Sequence, residues 1–187
     1  MKAILLNGPP RVGKNSIGRV LWSILPQCDS FKFAQPIIDY MWKEFGIRME
    51  EVEKDKPHPA LFGRTPREAA IRYSESFCKP LFGIDYFGKR AVDVILQAEA
   101  VAQTRVAIFT DSGFVSEARP VVDALGAGNV LQVRLHRLAH TFQGDSRSYW
   151  DHLQIPHIDF ENDCPSLAVL ADKVKADLIP ALKSFLE

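Results

Sequence analysis

Gly8-Pro9-Pro10-Arg11-Val12-Gly13-Lys14 is a G-x-x-x-x-G-K run set between two apolar segments of different period. Before it, Ala3 to Asn7 is a short apolar run with strand character. After it, Ile17, Val20, Leu21 and Ile24 recur at helical spacing. Strand, glycine-bounded turn and amphipathic helix in that order define a phosphate-binding loop, and the order constrains the fold more than any other feature. Gly8 and Gly13 let the backbone curl so that successive N–H groups face one anion. The helix start adds partial positive charge at the same point. Gly8, Arg11, Val12, Gly13, Lys14, Asn15 and Ser16 are therefore the residues expected around the phosphates. Lys14 is expected to reach the outer ones. The strict motif has Ser or Thr directly after the lysine; this chain has Asn15 there and Ser16 one place later.

Composition narrows the class. With 187 residues, 47% hydrophobic and 25% charged, the chain suits one domain of residues 1–187 with a proper core. The 23 basic residues balance the 23 acidic ones, so no overall field draws it to nucleic acid or an anionic membrane. Cys28, Cys78 and Cys164 form no C-x-x-C pair and read as reduced thiols, which suits a cytoplasmic protein. His136 and His140 lie at i, i+4 without accompanying cysteines, so a zinc site is not expected. His58 and His157 read as structural. The first residues lack the pattern of a secretory leader.

The rest of the chain alternates short apolar runs with amphipathic stretches. A strand over Asp29–Ala34 precedes a helix over Pro36–Phe45 with Ile37, Ile38, Met41, Trp42 and Phe45 on one face. Glu50 to Pro59 reads as an exposed excursion. Thr65-Pro66-Arg67-Glu68 opens a helix with a capping box. Gly83 to Gly88 is expected to break it before another helix from Phe87 to Ala102. A buried strand over Arg105–Thr110 ends in Asp111-Ser112-Gly113, a helix spans Val115–Leu125, and strands follow over Val130–Leu135 and Ile155–Phe160. A terminal helix from Pro165 carries the stripe Leu167, Leu170, Val174, Leu178, Leu182 and Phe185. This pattern predicts a three-layer α/β fold, a parallel sheet covered by helices on both faces. Residues 36–102 form an acceptor-side helical insert, and residues 136–152 a lid.

Ligands in such sheets bind outside the carboxyl ends of the strands. The phosphate loop, Asp111 and the Arg137–Arg147 segment should share that rim. Phosphoryl transfer needs a cradle, a metal ion and positive charge over the transferring group. Lys14, Asp111, Arg137 and Arg147 are the catalytic candidates. Ser16 and Asp111 are the candidates to hold Mg2+, and ATP is the expected donor. Arg64 and Arg67 could take an acceptor's phosphate. Phe33, Phe62, Tyr73, Phe77, Phe82 and Phe87 are the aromatics available for stacking on a base, with Phe33 and Tyr73 the substrate-side candidates. Asn162, at the corner Asn162-Asp163-Cys164-Pro165, is a candidate for the donor side. From Arg64 to Arg90 there are six basic and three acidic residues, a local excess in a neutral chain.

These residues together resemble a bacteriophage-type deoxynucleoside monophosphate kinase, within the nucleoside monophosphate kinases of the phosphate-loop class. Gly8 to Ser16 is similar to the kinase form of the loop, with the hydroxyl two places after the lysine. Gly63-Arg64-Thr65-Pro66-Arg67-Glu68 resembles the element opening that family's acceptor helix. Asp111-Ser112-Gly113-Phe114-Val115-Ser116-Glu117 is similar to its D-V-R-F-x-x-E, with Gly113 where the family has arginine. Gly144-Asp145-Ser146-Arg147-Ser148-Tyr149 looks like a lid in a sub-group of phage proteins. The resemblance implies ATP- and Mg2+-dependent transfer to a deoxynucleoside monophosphate. Two other readings are a kinase acting on a hydroxymethylated base within DNA, and a nucleotide-binding regulatory module with little catalysis. No membrane partner is expected, and a homodimer is compatible with the sequence.

Overall fold

A computed structural model describes all residues, Met1–Glu187. The chain builds a five-stranded, wholly parallel sheet: β1 (Lys2–Asn7), β2 (Cys28–Phe31), β3 (Val106–Phe109), β4 (Val130–His136) and β5 (His157–Glu161), in the order β2-β3-β1-β4-β5. The helices are α1 (Lys14–Ile24), α2 (Gln35–Phe45), α3 (Pro66–Tyr73), α4 (Lys79–Phe82), α5 (Tyr86–Ala102), α6 (Val115–Leu125), α7 (Leu167–Lys173) and α8 (Ile179–Leu186). One π-turn, Ser74–Cys78, joins α3 to α4, and another, Val174–Leu178, joins α7 to α8.

The central strand explains the layering. Successive side chains of a strand point to opposite faces. Ala3 and Leu5 enter a core with α5 and α6, through Ala91, Ile95, Ala118 and Val121. Ile4 and Leu6 enter the opposite core with α1 and the α7–α8 helix, through Ile17, Leu21, Val174 and Leu182. A strand apolar on both faces reads as a continuous run rather than an alternation, as Ala3 to Leu6 does. The three-layer expectation holds. A third, smaller cluster of Met41, Ile47, Met49 and Leu61 lies on the insert.

Several boundaries moved, each for a tertiary reason. Phe31 ends β2, because Asp111 takes the N–H groups of Phe33 and Ala34 and turns the chain away from the sheet. Trp42, grouped with the apolar face of α2 in the sequence, is about half exposed and lies under the Arg48 guanidinium at 4.7 Å. Leu167, expected in the terminal stripe, is 69% exposed. Thr65 caps α3 in the full capping box: its hydroxyl accepts from Glu68 N at 3.1 Å, and the Glu68 carboxylate accepts from Thr65 N at 2.9 Å.

The expected helix break narrows to Gly83–Asp85, since Gly88 lies inside α5. Its missing side chain lets α5 and α6 touch. A Cβ there would overlap the Glu117 carbonyl oxygen and come within 2.8 Å of Pro120 Cγ. Gly88→Ala should therefore push the two helices apart. Overpacking of this kind costs about 2 kcal/mol. In a chain of this length the melting temperature should fall by roughly 4–8 °C, measurable by calorimetry.

Candidate functional site

The loop after β1 is shaped by close backbone approach. A Cβ on Gly8 would sit 2.7 Å from the Leu135 carbonyl oxygen, and Gly13 has φ of 102°, which a side chain resists. Arg11 also adopts a left-handed conformation, with φ of 63°. Val12 is fully buried, so only its backbone can face a ligand. The Lys14 ammonium folds back over the loop, donating to the carbonyls of Gly8 at 2.5 Å and Pro9 at 2.8 Å. Burial, and next the nearby Arg147 charge, lower its pKa to about 8, while Asp145 and Asp111 oppose the shift. A lysine held on two backbone carbonyls beside a second cation suits an anion placed between them. Ser16, in the first turn of α1 and half-buried, has a hydroxyl that could serve as a metal ligand. Asn15 is exposed.

Asn162 plays a different part from the one its corner suggested. Its side chain is buried, and Nδ2 donates to the Val12 carbonyl at 2.7 Å, against the face where Gly13 lacks a Cβ. It buttresses the loop from beneath rather than lying open to a donor base.

Asn7, the last residue of β1, is fully buried and binds three neighbours. Its Nδ2 donates to the carbonyls of Ser112 at 3.3 Å and Ser148 at 3.2 Å, and its Oδ1 accepts from Gln132 Nε2 at 3.3 Å. The corner after β3, the 145–150 segment and β4 are thereby fixed to the root of the loop. Asp111 follows the same pattern. Its two carboxylate oxygens each accept a backbone N–H at 3.0 Å, from Phe33 and Ala34. Burial raises its pKa and those amides hold it down. Expected as a catalytic and metal-holding carboxylate, it is in the structure the anchor of the β2–α2 turn.

The expected lid divides in two. Leu138 to Gly144 is mostly exposed. The following stretch is fastened to the body: Trp150 is buried in the core and donates through Nε1 to the Gly113 carbonyl at 3.3 Å, and Tyr149 donates to the Leu135 carbonyl at 2.8 Å. Arg137 reaches the loop directly, donating to the Arg11 carbonyl at 3.4 Å. Arg147 is gripped by Asp145, Nε to Oδ1 at 2.8 Å and Nη2 to Oδ2 at 2.5 Å. Its stem lies across Gly113, where an added Cβ would overlap Arg147 Cδ and approach Cγ to 2.8 Å. Gly113 and Arg147 thus share one space. A guanidinium comes to this corner from the neighbouring segment instead of from position 113.

On the insert side, Arg67 pairs with Asp55 through Nε, with Nη2 to Oδ2 at 3.3 Å. The 50–59 excursion lies against the start of α3, since the Lys54 carbonyl accepts from Arg67 N at 3.0 Å. Arg64 is exposed and takes part in no ion pair or side-chain hydrogen bond. Phe33 is corrected to a core residue: it is 1% exposed and stacked on Phe109 at 4.4 Å, so it cannot form a substrate wall. Phe87 is likewise buried. Tyr73 stacks on Tyr40 at 3.8 Å with rings 2° from parallel, and burial pushes its phenol up to about 12. Together they stand between two grooves. One, of about 440 Å³, is bordered by Phe31, Lys32, Gln35, Asp39, Tyr86 and Arg90.

Sequence reasoning did not assign Asn7, Asp55 or Asp145 a role. Their contacts are long-range or depend on loop geometry, and only the D-x-R spacing of Asp145 and Arg147 was a local signal. Glu117, marked only by resemblance, sits in the first turn of α6. Burial and the Asp111 charge push it up to about 8, against Lys79 and Arg147.

No family model and no curated protein sequence matches this chain. Among solved structures it is similar to the unliganded crystal structure of a sugar kinase from a Janibacter species. That match has a TM-score of 0.45 and 12% identity, covering 97% of this chain and 98% of that one. A likeness of that degree says nothing of substrate.

The charge coupling in the cleft can be measured. Arg147→Ala removes a cation that holds the Lys14 pKa down, so Lys14 should titrate above about 8 yet below the ordinary 10.5, since burial remains. Gly113→Ala, by evicting the Arg147 stem, should shift it the same way. An NMR titration of the lysine side chains checks both. Unchanged titration in either variant would contradict the arrangement.

Proposed function

We propose that this protein transfers the γ-phosphoryl group of ATP to a deoxynucleoside monophosphate, giving the diphosphate. The observation that carries the reading is that Lys14 and Arg137 bond one glycine loop at the carboxyl end of the central strand, with the Arg147 charge near enough to lower the Lys14 pKa. Three cations around a backbone cradle suit a triphosphate and a transferring phosphoryl group. The loop passes a test of fit. Gly8 and Gly13 let the loop pack directly against the Leu135 carbonyl and the Asn162 amide, which fixes its curl, and Lys14 is held only by backbone carbonyls that a phosphate oxygen can replace.

The division of labour follows from these contacts. Backbone N–H groups of Gly8 to Lys14 would cradle the donor phosphates, and Lys14 would move from the Gly8 and Pro9 carbonyls onto them. Ser16 would hold Mg2+, which when bound draws negative charge from the phosphate oxygens. Asp111 acts at one remove, fixing the turn at Phe33 and Ala34. Arg147, already oriented by Asp145 and seated over Gly113, would neutralise charge developing on the transferring group. Arg67, oriented by Asp55, would meet the acceptor's phosphate. An oxygen of the acceptor phosphate attacks the γ-phosphorus, the bond from that phosphorus to the bridging oxygen breaks, and ADP leaves.

A second reading, transfer to a hydroxymethyl group on a base in DNA, is favoured by one observation. Arg67, assigned to the acceptor's phosphate, and Arg147, assigned to the transferring group, are each already paired with an aspartate. A neutral hydroxyl asks less of them than a dianion does.

Coupled detection of ADP release, with each deoxynucleoside monophosphate at about its usual working concentration of up to 1 mM, tests the primary reading. Turnover should appear with at least one of them. Lys14→Ala should lower kcat by about 10²–10³-fold with the melting temperature unchanged. ATP that binds without turnover on any nucleotide or DNA would leave only a regulatory binding role.

Protonation gives an independent check. Bound phosphate favours charged Lys14, so ATP binding at pH above about 8 should take up protons and weaken as pH rises. Calorimetry in buffers of different ionisation enthalpy reads this directly; a buffer-independent enthalpy would count against Lys14 as the phosphate contact.

A further inference from the structure

We propose that the outer face of the helical insert is a platform for single-stranded nucleic acid, centred on Phe62 and flanked by Arg64 and Arg72. A groove of about 580 Å³ opens there, with Tyr40, Phe45, Leu61 and Tyr73 among its walls and Phe77 at one end. Its only charged lining residues are Arg64 and Arg72. Both are exposed, and neither takes part in an ion pair or a side-chain hydrogen bond, whereas most other basic side chains of the insert are matched to a carboxylate. The nearest carboxylates in sequence are engaged elsewhere, Glu68 in the capping box and Glu75 with Lys79.

Phe62 makes this face unusual. It is 96% exposed and has φ of 54°, in the left-handed region that bulky residues avoid. A net of hydrogen bonds holds it there: Phe62 N to the Pro59 carbonyl at 3.1 Å, Arg64 N to Leu61 at 3.1 Å, and His58 N to Arg64 at 2.9 Å. The chain thus presents a large aromatic ring to water on a hydrogen-bonded turn. Behind it Tyr40, Tyr73 and Phe77 run as a nearly parallel stack, with centroid steps of 3.8 and 5.6 Å, and Phe77 is 48% exposed.

Aromatic faces interleaved with unpaired arginines are what a flexible strand of bases and phosphates requires. Bases stack on the rings in any sequence, and the arginines meet the backbone. A second copy of this chain fits less well. A two-fold contact through the same patch would bring Arg64 and Arg72 of both copies together with no carboxylate lining the groove. The neutral overall charge does not oppose the assignment, because the charge that counts is local.

Binding of a labelled single strand of about twelve nucleotides, followed by fluorescence anisotropy from about 50 to 200 mM salt, tests the proposal. The Lys14→Ala protein should bind as wild type does, which separates this surface from the proposed catalysis. Arg64→Ala with Arg72→Ala should weaken binding about tenfold at the low end and reduce the salt slope by ~1.4. Phe62→Ala should weaken it about fivefold or more at every salt concentration, leaving the slope unchanged. All three residues are exposed, so thermal melting should confirm intact folds. The proposal is overturned by absence of binding, by binding indifferent to these substitutions, or by equal affinity for the matching duplex, whose bases are already stacked. It is equally overturned if the wild type sediments as a dimer that Phe62→Ala dissociates.

Discussion

The buried amide of Asn7 is the contact on which the geometry of the cleft depends. It lies at the end of the central strand, where β1 stops and the glycine loop begins, and it is bonded to three other parts of the chain. A buried amide must find partners for its donors and acceptor or lose several kcal/mol, roughly, to desolvation. Asn7 meets that demand with the Ser112 and Ser148 carbonyls and the Gln132 amide. The loop, the corner after β3 and the crossing segment are therefore held in one register. Asn162 does the same from below, and Asp111 from the side of β2.

That register explains why Arg147 is where it is. The segment carrying it is stitched to the body at Ser148, Tyr149 and Trp150, and these contacts set where the arginine sits. Gly113 supplies the room for its stem and Asp145 the orientation. The same cation, after burial, helps hold the Lys14 pKa down at about 8, and a bound anion would relieve both charges. Two arginine–aspartate pairs, Arg147–Asp145 and Arg67–Asp55, come from the segment after β4 and from the insert. Each carboxylate orients its arginine and also partly satisfies it, so under the proposed function an incoming phosphate would have to compete with an aspartate for each guanidinium.

Much of this was legible in the chain itself. Ala3 to Leu6 announced a strand buried on both faces, Thr65 to Glu68 announced a capped helix, and Gly8 to Ser16 announced its loop. Each is a local pattern with a local physical cause. Phe33 and Asn162 were misjudged for the opposite reason. An aromatic or an amide near a cleft reads the same in sequence whether it points into the ligand space or into the core. Phe33 packs on Phe109 only because Asp111, far along the chain, bends its backbone inward.

Periodicity and motif by themselves determined the parallel three-layer fold, the glycine loop at the end of β1 and the rim where the informative residues gather. They could do so because strands, helices and tight glycine turns are written in neighbouring residues. Only the tertiary structure decided that Asp111 anchors a turn, that Arg147 fills the space above Gly113, and that Phe62 stands in water on a groove it shares with two unpaired arginines. Those outcomes depend on which distant segments touch, and long-range contact is set by the packing of the whole chain rather than by any short stretch of it.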